Sequence, residues 1–278
     1  MSMKTRGTIP DPNEKLVRTQ DPDRFLISIF FPPEIRSHLC ALYAFNHEIA
    51  RTREVVTDTH IGLIRLQWWR DALAAFYERN EVAKHDVVEG LSKAIWRYDL
   101  RRELFDHLIY AREFDLEDRA PGSLEGLCNY ADFTHTPLLR MGVIAAGEDP
   151  DHPAVQPVAM AYALTGLIRA MPFLLQQNRH VLPDDLVRRY SIDMDAIRAG
   201  RDLTSVTPAV RDIRDKAKDL LRQGGGVASG RMIRLHKVVT EQYINKISLL
   251  EDNPFDPRIQ VPPLFREFRL WLAAGKAQ

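Results

Sequence analysis

The chain has 278 residues, 45% of them hydrophobic, and its 38 basic residues balance 38 acidic ones to a formal net charge of zero. That length and apolar content suffice for a sizeable core in one domain. The charge balance excludes a general field drawing in nucleic acid or an anionic surface, and leaves only local patches. Two cysteines, Cys40 and Cys128, lie in apolar helical contexts without disulfide or zinc spacing, and read as buried thiols of a reducing compartment.

Residues 1–20 have no apolar core of the signal-peptide kind, and their mixture of Asp, Glu and Pro is unlike an Arg-rich transit peptide. They are read as a tail, which predicts a cytoplasmic protein with any membrane contact peripheral, at the inner membrane. No run approaches the roughly 18 uninterrupted apolar residues of a membrane span. Over residues 21–278 apolar positions recur at helical spacing, which predicts a single all-α domain.

Pro32 and Pro33 start a helix reaching about Val56, with Ile35, Leu39, Leu42, Asn46 and Ile49 on one stripe. The next, about Ile61 to Arg79, is apolar nearly all round through Ile64, Leu66, Trp68, Trp69, Leu73 and Phe76, and is expected at the centre of the molecule. The adjacent tryptophans read as core residues serving different neighbours rather than a ligand cage. Helices follow at about Val87 to Arg97 and Leu100 to Phe114, the latter expected to be capped by Asp99. The acidic run Asp115, Glu117, Asp118 precedes a Pro121-Gly122 turn and reads as a solvated face. Residues 123–146 form a helical pair or one kinked helix, and Val155 to Gln177 another. Pro172 lies inside the latter, where the ring excludes a backbone bond and is expected to kink or unwind it at a cost of about 3 kcal/mol. Asp184 and Asp185, after Pro183, complement a helix start. Thr207 is expected to cap a helix closed by Gly224, and Gly224 to Gly226 form a hinge without phosphate-loop context. Two last helices, about Arg231 to Leu250 and Pro263 to Ala274, flank the turn DNPFDPRIQVP.

Three pieces, DPDRFLISIFFPPEIRSHLCA from Asp21, LYAFNHEIARTRE from Leu42 and IRLQWWRDALAAFY from Ile64, together resemble the opening of the squalene/phytoene synthase family. The resemblance implies a single-domain terpenoid-synthase-like helical bundle and, in principle, head-to-head condensation of prenyl diphosphates. Registered on Tyr43, Ala44 and Phe45, the family's Asp-Asp-x-x-Asp cluster falls on Ala50, Arg51 and Glu54. In GLIRAMPFLLQQNRHVLP, registered on Arg169, Arg179, Leu182 and Pro183, the second aspartate pair falls on Ala170 and Leu174.

Those losses bear on chemistry. Magnesium takes hard oxygen ligands, usually one or two carboxylates together with substrate phosphates, and neutralises a departing diphosphate. Side chains at i and i+4 share a helix face, roughly 5–6 Å apart at Cβ. Tyr43, His47, Ala50 and Glu54 share such a face, with Arg51 beside it, and a lone Glu54 near two arginines reads as an ion-paired surface residue. His47 reads as a structural residue. Phe133 to Pro137 put bulk where the family has small residues. Tyr43, His47, Ala50, Arg51, Glu54, Arg169, Ala170, Leu174 and Arg179 thus mark a vestigial pocket with no catalytic residue, metal or cofactor.

YINKISLLEDNPFDPRI followed by LFREFRLWLA, together with Arg-Ala-x-Pro at Arg169 to Pro172, is similar to one branch of the family, the respiratory complex I assembly factors. The resemblance implies a non-catalytic protein whose partner is an assembly intermediate of NADH dehydrogenase, with no nucleic acid. Two other readings stay open: a prenyl transferase holding diphosphate through arginines, and a protein binding an apolar lipid or isoprenoid.

Overall fold

A computed structural model describes residues 11–117, 119–177, 179, 182–224 and 229–275. The described residues form helices and turns, with no strand among them. In chain order the helices are α1 (Pro12–Gln20), α2 (Pro22–Ser28), α3 (Pro33–Ala50), α4 (Thr52–Val55), α5 (Thr59–Arg79), α6 (Asp86–Tyr98) and α7 (Arg102–Phe114). They continue with α8 (Leu124–Ala145), α9 (Val155–Gln176), α10 (Asp184–Arg189), α11 (Met194–Arg198), α12 (Thr207–Gln223), α13 (Arg231–Leu249) and α14 (Arg266–Gly275).

Local chemistry sets several of these starts. Asp11, Asp21, Asp58, Ser123 and Asp193 each accept a backbone N–H of the first helical turn, satisfying donors the helix leaves orphaned. Asp184 and Asp185 open α10, and Asp185 also accepts from Leu124 N at the start of α8. Asp99 instead adopts the left-handed conformation that closes α6, so it ends one helix rather than capping the next. Thr207 makes no side-chain cap, because a 3₁₀ turn over Leu203–Val206 already leads into α12.

The core is built around α9, which packs against α8, α12 and α13, while α3 packs against α1, α6 and α8. Leu39, Leu42 and Ile49 of α3 are fully buried, and α3 breaks at Arg51 into the short α4. Both cysteines are free and buried; burial pushes the Cys40 thiol up to about 12.

Residues 12–20, read from the sequence as tail, form a helix whose Val17 is buried against α3. The expectation of a central α5 is overturned. Leu66, Trp69 and Leu73 face the core, but Ile61, Ile64 and Trp68 are exposed, so α5 lies at the edge. Its all-round apolarity combines one core stripe with an uncovered outer face. Trp69 packs edge-on against Phe45 at 5.3 Å between centroids, whereas Trp68 is half-exposed against Trp69 and His85.

Helix α9 runs unbroken through Pro172, and α8 through Pro137, so the expected unwinding does not occur. Next to the carbonyl that Pro172 leaves without a helical donor, Gln260 Nε2 donates to the Arg169 carbonyl at 2.8 Å and stabilises that turn from outside. Helix α9 is also long and apolar enough to cross a membrane by length and composition, but Val158, Ala161, Leu164 and Ile168 are buried in the bundle. Gly224 closes α12, while Asp118, Gly225 and Gly226 lie outside the described residues.

Two glycines separate backbone cost from packing. A Cβ on Gly90 of α6 would stand 2.5 Å from Asn13 Nδ2 and 2.9 Å from Ala41 Cβ, whereas one on Gly166 of α9 would meet nothing within 4 Å. Gly90→Ala is expected to lower unfolding free energy in urea by about 1–3 kcal/mol through overpacking. Gly166→Ala is expected to raise it by about 0.5–1 kcal/mol, because alanine restricts the unfolded chain and favours helix.

Candidate functional site: two arginine–aspartate clusters at a cavity

The start of α2 places two acids and one base where three helices meet. Asp21 accepts the Arg24 backbone N–H at 3.1 Å and its guanidinium at 2.6 Å. Arg24 is buried, with its guanidinium carbon 4.7 Å from the centre of the Tyr162 ring and 5.7 Å from that of Tyr43. Burial opposes the charge of Arg24, but Asp21 and the two tyrosines more than offset it, and its pKa is held above the ordinary arginine value.

Asp23, also buried, accepts from Arg169 at 3.0 Å, the Tyr243 hydroxyl at 3.0 Å and Arg266 at 2.6 Å. Arg169 stacks on Tyr243, its guanidinium carbon 3.6 Å from the ring centre. A second cluster surrounds Asp115, which accepts from Tyr130 at 2.7 Å and pairs with Arg112 and Arg179, each at 3.2 Å. Arg112 also donates to Asn46 of α3 at 3.3 Å.

A cavity of about 410 Å³ opens beside the first cluster, bounded by Asp21, Asp23, Arg24, Arg169, Ala170 and Tyr243. Further in, among Arg24, Tyr43, His135, Leu138, Tyr162 and His236, the free space shrinks to about 10 Å³. That is no more than about one water, whereas ligand pockets run to roughly 300–1,000 Å³. The side chain of Arg24 lies among these residues.

Of the residues singled out in the sequence, Arg169 and Ala170 line the cavity, and Tyr43 lies behind it with its hydroxyl 3.9 Å from Met232 Sδ. Arg179 belongs to the Asp115 cluster, and Leu174 is buried in the core. His47 is partly buried, which lowers its imidazole pKa, and makes no side-chain hydrogen bond among the described residues. Arg51 pairs with Glu48 at 3.4 Å, and Glu54 is exposed, so the face that would carry the first aspartate cluster is a surface ion-pair face.

Among the described residues no group of three or more His, Cys, Asp or Glu is arranged to hold a metal. The carboxylates nearest the cavity, Asp21 and Asp23, are already taken by arginines. The donor set therefore does not fit a magnesium–diphosphate group, and no step through one is derived.

Of the acidic run read as a solvated face, Glu117 is exposed, but Asp115 is 7% exposed at its side chain and anchors two arginines. Asp21, Asp23, Arg24 and Arg266 were invisible as site residues because Asp-Pro-Asp-Arg reads locally as a helix cap. Their partners lie up to 243 residues away.

Removing the Asp23 charge leaves Arg169 without its counterion and Arg266 with only the exposed Glu267, in a largely buried setting. Asp23→Asn is expected to cost about 3–5 kcal/mol of stability, measured by urea denaturation. The two inner histidines give a pH signature. Burial and then Arg24 push His236 down to about 3, and His135 is lowered by the same two causes. The folded state therefore refuses protons that the unfolded chain accepts below about 6.5, so stability present above that pH falls as pH drops towards about 3. Each such group contributes up to about 1.4 kcal/mol per pH unit, and His236→Gln is expected to flatten the urea midpoint between pH 7 and 5.

Comparison with known proteins places this architecture. The chain is 28% identical over 254 residues to NADH dehydrogenase (ubiquinone) complex I, assembly factor 6 of Bos taurus, covering 88% of this chain and 76% of the relative. The human protein of that name is 27% identical over 269 residues, covering 92% and 80%. Phytoene synthase of Thermus thermophilus is 28% identical over 219 residues, covering 76% and 71%. Among solved structures, a squalene synthase from Alicyclobacillus acidocaldarius superposes with a TM-score of 0.75 at 21% identity, over 87% of this chain and 94% of that one. A dehydrosqualene synthase gives 0.79 at 16% identity, over 94% and 93%. The squalene/phytoene synthase pattern itself matches residues 17–264, and the chain belongs to that family.

Proposed function

We propose that this chain is a non-catalytic member of the family that acts as an assembly factor for respiratory complex I, held peripherally at the membrane where that complex is built. The observation that carries the reading is the likeness to assembly factor 6 proteins along nearly the whole chain, 92% of it for the human relative. The site supports it. Alanine, arginine and leucine stand at four of the five aspartate positions, the two cavity carboxylates neutralise arginines, and Arg24 lies among Tyr43, His135, Tyr162 and His236.

Arginines alone bind phosphate through a planar fork, but they do not replace the bridging charge that a metal supplies as diphosphate departs. Arg169 and Arg266 also share Asp23, so an incoming diphosphate competes with a carboxylate already in place. The cavity of about 410 Å³ gives the lipid-binding reading its one specific support. Its polar and charged wall favours a headgroup over a hydrocarbon tail.

A deletion strain scored for assembled NADH dehydrogenase and for isoprenoids side by side tests the proposal. Complex I, followed by native gel and NADH oxidation, is expected to fall severalfold while squalene and carotenoid pools stay constant. A fall in either isoprenoid with complex I intact would overturn it.

A further inference from the structure

Helix α14 carries an apolar face that no described residue covers. Helix α14 packs on α13 through Leu270 and Ala273, with Arg266 reaching inward to Asp23. On its opposite face Phe268, Trp271 and Leu272 are exposed, at 56%, 63% and 47%. At 100° per residue these three lie within about one third of the helix circumference, and the Phe268 and Trp271 rings stack at 6.1 Å.

The surface extends beyond the helix. Leu264 and Phe265 precede it and are more exposed still, and Phe265 holds a left-handed backbone with φ of 58°. For a bulky aromatic residue that conformation costs about 1–3 kcal/mol. Val261 is exposed as well and its carbonyl accepts from Lys246 Nζ, and Leu249, one turn further along α13, is 83% exposed.

We infer that this surface docks on an anionic lipid bilayer, with Phe265, Phe268 and Trp271 entering the headgroup–acyl boundary. The residues project from the outward face of one helix, a convex shape that a bilayer accepts to a depth of roughly 5–10 Å. Charge complementarity selects the lipid. Arg269 flanks the stripe, exposed and without an ion-pair partner among the described residues, and Lys246 stands at the Val261 end. The acid on the other flank, Glu267, is paired with Arg266. Cations so placed are attracted to anionic headgroups, and aromatic rings settle at the interface. The inference names the surface for the peripheral placement proposed above and rests on that placement, but not on the assembly role.

The experiment is flotation of the purified full chain with phosphatidylcholine vesicles and with vesicles enriched in phosphatidylglycerol. Wild type is expected to float with the anionic vesicles and to be released by salt. Phe268→Ser with Trp271→Ser is expected to weaken binding about a hundredfold, burial of each aromatic side chain being worth at least about tenfold. The variant should unfold at the wild-type temperature because both side chains are exposed. Arg269→Glu should weaken binding to anionic vesicles severalfold, and Trp96→Ser, a substitution of an exposed tryptophan on α6, should not. Failure of wild type to bind anionic vesicles, or equal binding by the double variant, would overturn the inference. So would a dimer that the double variant dissociates in the absence of vesicle binding, since a second copy would then cover the face. Because no complex I component is present, a negative result leaves the assembly role standing, and a silent deletion strain leaves the lipid surface standing.

Discussion

The carboxylate of Asp23 binds groups from three other helices: Arg169 of α9, Tyr243 of α13 and Arg266 of α14. Withdrawing an arginine from water costs several kcal/mol unless a counterion and hydrogen bonds replace hydration. Here one acid does this for two arginines, and the fold at this end follows from keeping those groups together. α2 must lie across the mouth of the bundle, α14 must return to it, and the cavity between them acquires a polar wall. Asp21 performs the same service for Arg24, which is how a guanidinium comes to lie deep among Tyr43, Tyr162, His135 and His236. Burial, and then that cation, lower the pKa of His135 and His236 and keep the two imidazoles neutral.

This arrangement uses up the chemistry of the site. A prenyl synthase needs cations left free for diphosphate, carboxylates left free for metal, and apolar space left free for hydrocarbon. In this chain the arginines and carboxylates beside the cavity pair with one another, and Arg24 lies among Tyr43, His135, Tyr162 and His236. The cavity beside Asp23 has matched charges in its lining, so it suits a neutral or zwitterionic polar group better than a highly charged one. The family fold rests on helix packing. The buried stripes of α3 and α9 carry it.

The sequence displayed what is local. Helical periodicity, proline and glycine punctuation and the apolar stripe of α3 appear within one or two turns, and the helices fall close to where those signals lie. The stretches that carry the family resemblance contain Arg169 and Ala170, which line the cavity, and Tyr43, which lies behind it. Charge partners across long separations leave no local trace: Asp23 and Arg169 are 146 residues apart, and Asp115 reads as an ordinary acid beside a turn until Arg179 folds over it. Helix α5 misled for another reason. Apolar residues on every side are equally compatible with a core helix and with an edge helix that offers an outer face, and only the neighbours decide between them.

The pairing of Asp23 with Arg266 also sets an order of events during synthesis. At about 5–20 residues per second, a ribosome takes some tens of seconds to travel between the two codons. Arg169 follows Asp23 by 146 residues and pairs with it first, and Arg266 joins them only at the end of that interval. The bundle can collect its apolar helices meanwhile, but its mouth stays hydrated and unfastened until the final helix leaves the exit tunnel. A nascent chain released short of Arg266 lacks one of the two arginines that pair with Asp23.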